Sequence, residues 1–339
     1  MFGTYRTLLA LWVAAFHLAD VPPMGAYAVF GFYILSGYLM TLIMHQNYGY
    51  TTTGILKYGV NRFLRVFPIY WASIALSALL IFNVGNGVAN TYNDSMYLPS
   101  TIPDLFRNIF LFFPLREDPR LTPPAWALTV ELFYYILIGL GLSRHKSLVI
   151  TWFGISAAYH LLVTSLGLGW DYKYFYIPAA SLPFATGALI YHHRDAIGTY
   201  ILRHEEHFTR HLPVILLGLI VSNVLIGINL SIERSGSFYI NFFLNALMIS
   251  ILIHYKEIPW IPKSLDKILG DLSYPIYLVH YQAGLITIAC AGYFGLSLHR
   301  PDFDLFIASL PIILGLSYMF TRGIEQPIER LRKRIKNCI

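Results

Sequence analysis

The feature that most constrains this chain is a succession of apolar runs, each long enough to cross a bilayer, extending from residue 5 to residue 322. A hydrocarbon core of about 30 Å needs a helix of about 20 mostly apolar residues. Backbone groups in lipid must be satisfied within helices or closed barrels, and these runs are too long and too uniform for barrel strands. The expected fold is all-α, a polytopic membrane helix bundle of about ten transmembrane helices. The predicted spans are 5–20, 27–45, 66–85, 125–143, 147–166, 175–192, 212–230, 237–255, 273–294 and 304–322. Interruptions such as SGYLM and GLIVSNVLIGIN are tolerated where neighbouring helices re-satisfy the backbone. Charged residues make up only 12% of the chain against about 25% in a soluble domain, which leaves no room for a separate soluble domain. Residues 1–339 therefore read as one membrane domain.

The distribution of positive charge orients the bundle. Assigning loops to alternate sides puts 18 of the 24 lysines and arginines with the two termini and six opposite, so both termini are expected to be cytoplasmic. Topology thus explains the basic pI of about 9.1, and no nucleic-acid partner is called for. The cytoplasmic end closes on the basic tail 323–339. A rival reading takes Arg6, the first apolar run and AYA at 26–28 as a signal peptide, but a single arginine makes a poor positive n-region. Cys290 and Cys338 are too few and too far apart to imply a disulfide framework or a metal site.

Two non-spanning stretches stand out. Residues 86–124 form an extracytoplasmic loop containing IPDLFRNIFLFFP, an amphipathic piece too short to span and read as an interfacial or re-entrant helix. Residues 191–211 hold five of the twelve histidines, with HH and HEEH but no HExxH, and read as a solvated cytoplasmic loop rather than a metal site.

Candidate chemistry sits in ionisable groups at membrane depth, which are costly and mark functional sites by default. His17 lies near the outer end of the first run, with Asp20 just beyond. Glu131 lies about two turns into the fourth span, which enters from the outer side, so both fall in the same leaflet half. A carboxylate beside an imidazole would orient it and stabilise its protonated form, making His17 a general base; a purely structural pair is the alternative. Arg62 and Arg65, spaced i, i+3 at the cytoplasmic mouth of the third span, share a helix face and could grip one anion, or could simply anchor the helix.

These residues carry a resemblance. YRTLLALWVAAFH, GFYILSGYLM, RFLRVFPIYW, WALTVELFYY, GDLSYPIYLVH and IEQP occur in the order of the motifs of the acyltransferase 3 family, membrane-bound acyltransferases that modify cell-envelope glycans. The chain resembles the family over essentially its whole length. Ala127 stands where family members often carry serine, and a stand-alone form, without the extra span and extracytoplasmic domain that some members append, is expected. The resemblance implies that His17 deprotonates an acceptor hydroxyl, that Arg62 and Arg65 hold the phosphates of acyl-CoA, and that Glu131 supports the histidine or the acceptor. It implies that Trp126 shapes the same wall and that His280 serves as a donor-channel or structural residue. The donor would be acetyl-CoA or another acyl-CoA, without a metal. The acceptor would be a lipid-linked sugar or an envelope polysaccharide such as lipopolysaccharide, at a bacterial-type inner membrane whose lipids surround the bundle. An acyl-enzyme relay stays open, and the competing class is a transporter or flippase for an envelope lipid or anionic metabolite, although no inverted repeat is visible.

Overall fold

A computed structural model of the chain describes residues 2–115, 117–203, 211–229, 234–256 and 258–337. Among them every regular element is a helix. In order these are α1 (Gly3–Ala19), α2 (Pro22–Ile43), α3 (Thr52–Val84), α4 (Asn86–Tyr92), α5 (Ile102–Phe110), α6 (Ala125–Gly139) and α7 (Lys146–Ser165). There follow α8 (Trp170–Tyr174), α9 (Ile177–Arg203), α10 (Leu212–Asn229), α11 (Arg234–Tyr255), α12 (Lys263–Tyr293), α13 (Phe303–Phe320) and α14 (Gln326–Asn337). A π turn at Met44–Tyr48 extends α2, and another at Thr321–Glu325 joins α13 to α14.

Each of the ten apolar segments falls on a helix, and among the described residues five helical segments are long and apolar enough to cross a membrane: Met24–Tyr48, Thr52–Val84, Lys146–Ser165, Gly236–Tyr255 and Phe303–Arg334. Helix ends depart from the apolar runs where local chemistry decides. α6 starts directly after Pro123 and Pro124, residues preorganised for a helix start, and ends at Gly139, two residues before Gly141 at φ 110°. α3 and α12 reach back beyond their apolar runs to 33 and 31 residues and run through Pro68 and Pro275. The stretch from 191, expected as a solvated loop, is instead helical to Arg203 at the end of α9. Hydropathy marks where lipid begins and not where the backbone stops being helical. The HEEH stretch at 204–207, Arg116 and Cys338 lie outside the described residues.

The chain divides into two compact units. The first comprises Met1–Leu9, Pro22–Gly59 and Glu131–Gly270. Its centre is α2 packed on α9, with α7, α10 and α11 around them. The α2–α9 crossing is close because both partners present glycine: a Cβ at Gly37 would overlap the Phe184 carbonyl, and one at Gly187 the Ile34 carbonyl. Aromatic rings fill the space beside it, with Phe184 stacked between Tyr33 at 5.0 Å and Tyr134 at 4.6 Å. At the start of α1 the backbone N–H groups of Gly3 and Thr4 donate to the carboxylate of Asp266 at 3.2 and 2.8 Å, and the Thr4 hydroxyl donates at 2.9 Å. A carboxylate from far along the chain thus caps a helix N-terminus that lacks a capping side chain of its own.

The second unit comprises Ala10–Val21, Val60–Val130 and Asp271–Ile339. A buried polar cluster ties α12 to α3. Gln282 meets the hydroxyls of Ser77, Ser73 and Thr122 at 2.8, 2.9 and 3.2 Å through its amide oxygen, while its NH₂ donates to Leu278 O and Val279 O. Every polar atom of that amide is therefore satisfied at a fully buried position. Between α4 and α6, α5 is N-capped by the Thr101 side chain and exposes Ile102, Leu105, Phe106 and Phe110. Tyr70 and Trp71 of α3 donate to the carbonyls of Asn108 and Ile109, fastening α5 in place.

Candidate active site

His17 sits in the last turn of α1, where helix geometry leaves four carbonyls without intrahelical donors. The loop before α13 supplies two of the missing donors. Arg300 Nε donates to the His17 carbonyl at 2.8 Å, and the Asp302 N–H donates to the Leu18 carbonyl at 2.7 Å. A guanidinium here also complements the negative end of the helix. Arg300 donates further to Tyr92 O at 2.6 Å and to the Tyr281 hydroxyl at 3.1 Å, and lies 4.9 Å from the centroid of the Tyr281 ring. α1 thus ends in a fixed position, with its imidazole fixed in turn. Asp20 follows as an exposed residue at φ 51°, the left-handed conformation common just past a helix end.

The His17 side chain meets His280 of α12, with Nδ1 of His17 3.1 Å from Nε2 of His280. The ring planes differ by 14° and the centroids lie 5.1 Å apart. His280 Nδ1 is 2.8 Å from the carbonyl oxygen of Tyr277, whose own hydroxyl donates to Pro124 O at 2.8 Å. The two histidines differ in access: His280 has no exposed surface, whereas His17 is only half-buried. Tyr281 packs against both rings, at 5.0 Å from His17 and 4.9 Å from His280. Because α12 begins ten residues before its apolar run, His280 lies past the middle of the helix.

Glu131 belongs to the first unit, where its carboxylate accepts from the hydroxyls of Ser36 and Tyr135. Trp126 is half-buried in the first turn of α6. Arg62 and Arg65 lie on α3 in the second unit, within a larger arginine cluster. Arg62 donates to the Asn61 side-chain oxygen at 2.7 Å, and Arg332 of α14 reaches the same oxygen at 3.0 Å. Arg65 pairs with Glu325 and lies 5.9 Å from the Tyr274 ring centroid.

The structure adds Arg300, Tyr281, Asn61 and Arg332 to the residues picked out from sequence. Arg300 reads as one loop arginine among several, and Asn61 gives no signal beyond adjacency to Arg62. Arg332 is concealed in the basic tail.

Comparison with protein families finds that the acyltransferase 3 model, described as an acyltransferase domain, matches residues 1–322. Neither the curated proteins nor the solved structures include a match to the chain. Helices long and apolar enough to cross a membrane agree with that family's membrane setting. The chain belongs to the acyltransferase 3 family and is a membrane acyltransferase.

Proposed function

We propose that the chain moves an acyl group, acetyl in the first instance, from acyl-CoA to a hydroxyl of a cell-envelope polysaccharide or lipid-linked sugar. The observation that carries this reading is the half-buried imidazole of His17, held at a capped helix end and backed by a fully buried second histidine. An accessible, rigidly placed imidazole suits general-base activation of a hydroxyl, which typically contributes about 10²–10⁴-fold.

In the proposed reaction His17 takes the proton of the acceptor hydroxyl as its oxygen attacks the thioester carbonyl carbon. The tetrahedral intermediate collapses with loss of the C–S bond, and the departing CoA thiolate takes the proton from the imidazolium, which restores neutral His17. The products are an O-acyl ester and free CoA. Arg62 and Arg65 hold the phosphates of the donor on the cytoplasmic side, where guanidiniums suit phosphate oxygens. Trp126 and Asp20 serve on the acceptor side. Ten spans with both termini cytoplasmic, in an inner membrane of bacterial type, keep the nucleotide end of CoA inside while its thin pantetheine arm reaches toward the outer half. The exposed apolar side of α5 rests at the outer membrane interface.

The test supplies membranes containing the protein with acetyl-CoA labelled in the acetyl group and with envelope glycan. Alkali-labile label in the glycan, absent from membranes without the protein, is the expected result. Its absence with acetyl-CoA and with longer acyl-CoA donors would contradict the reading.

A further inference from the structure

We propose that His280 is a positioning residue that fixes the tautomer of His17, through a proton-ordered chain from the Tyr277 carbonyl to the reacting nitrogen. The inference rests on the reading of His17 as the base and specifies which of its nitrogens reacts.

The ordering follows from what each atom can do. A backbone carbonyl only accepts, so the 2.8 Å contact between Tyr277 O and His280 Nδ1 requires the proton on Nδ1. A neutral imidazole carries one N–H, which leaves His280 Nε2 with a lone pair. The 3.1 Å contact from that lone pair to His17 Nδ1 then requires the His17 proton on Nδ1. The remaining nitrogen of His17, Nε2, is left as a lone pair, and a lone pair is what a base needs. A cationic His280 would donate from Nε2 instead, force His17 Nδ1 to accept, and leave the His17 proton on the nitrogen that should be basic. The neutral pair is therefore the competent state.

The same geometry serves the next step. When His17 takes the acceptor's proton on Nε2, it becomes an imidazolium and its Nδ1–H bond to His280 becomes charge-assisted. A neutral imidazole then stabilises the protonated base, a role that a carboxylate fills in serine hydrolases. Burial separates the two roles within the pair, since only His17 has exposed surface. Three packing contacts hold the chain in register: Arg300 on the His17 carbonyl, the Tyr277 hydroxyl on Pro124 O, and the amide of Gln282 among its three hydroxyls.

The test combines a turnover-independent readout with two variants. In the full-length protein with ¹⁵N-labelled histidine, the His17 resonances are assigned by their loss in His17→Gln. The expected spectrum shows His17 protonated at Nδ1 and unprotonated at Nε2, and the opposite tautomer would overturn the proposal. In transfer assays, His280→Leu is expected to lower kcat about 10²-fold with KM for the acyl donor unchanged, because it removes the acceptor. His280→Gln, whose carbonyl can take the Nε2 position, is expected to recover to within about tenfold of wild type. Full activity in His280→Leu, or equal losses in both variants with wild-type acyl-CoA binding, would overturn the proposal. The spectrum tests the tautomer even if His17 is not the base, so the two readings fail separately.

Discussion

Arg300 closes the end of α1 by donating from Nε to the carbonyl oxygen of His17 at 2.8 Å, and so anchors the backbone of the residue whose side chain meets His280. Three of its donors serve three different acceptors, a geometry that a lysine ammonium cannot copy. Arg300→Lys is expected to leave at least one part-buried acceptor unsatisfied. The cost is about 1–3 kcal/mol of stability, read as a lower thermal midpoint in detergent. Transfer activity falls with it, since the imidazole loses its fixed base. An unchanged midpoint together with unchanged kcat would contradict this role.

The arginine cluster on α3 gives a binding prediction. Two charge-assisted contacts to phosphate contribute about 1.5–3 kcal/mol each, so Arg62→Ala combined with Arg65→Ala is expected to raise the Kd for acyl-CoA at least about 100-fold. Calorimetry or a filter assay on the detergent-solubilised protein measures it. Wild-type affinity in the double variant would remove the clamp from the account.

At the α2–α9 crossing, Gly187→Leu places a side chain where the Ile34 carbonyl lies. The backbones have to separate, and overpacking of this kind costs about 1–3 kcal/mol or more. Gly59, with open space at its Cβ position, is the control, and Gly59→Ala is expected to leave the thermal midpoint nearly unchanged. Equal midpoints for the two variants would show that close approach is not what holds the crossing.

Asp266 provides a pH prediction. It lies ahead of the apolar part of α12. Burial pushes its carboxyl up, but hydrogen bonds at the start of the chain, those from Thr4 and Gly3 among them, outweigh this and hold it below the usual carboxylate range. A depressed folded value contributes stability that is fully present above the unfolded value near 3.9 and is lost as pH falls through the folded value. Acid unfolding of the wild type is therefore expected to steepen below about pH 4, with a shallower dependence there in Asp266→Asn. Superimposable curves would contradict the capping role.

How much of this was legible in the sequence follows from the range of the interactions. All ten apolar runs mark helices, because hydropathy is written residue by residue. The helix ends were less legible: nothing in hydropathy shows that α3 continues back to Thr52, or that α9 continues to Arg203. His17, Arg62 and Arg65 could be picked out because an ionisable side chain in or beside an apolar run is visible locally. The contact of His17 with His280 could not, since the two lie 263 residues apart in the sequence. Arg300 was illegible for a related reason. A loop arginine looks like an anchor until the carbonyls it caps are brought to it by the fold.

The central claim is that His17 is the base. The most direct measurement compares transfer of labelled acetyl from acetyl-CoA to envelope glycan by wild type and by His17→Gln, with acetyl-CoA binding measured on both. The account predicts equal binding, with alkali-labile label appearing only in the wild type. Label in the glycan at the wild-type rate with His17→Gln would contradict it and place the base elsewhere.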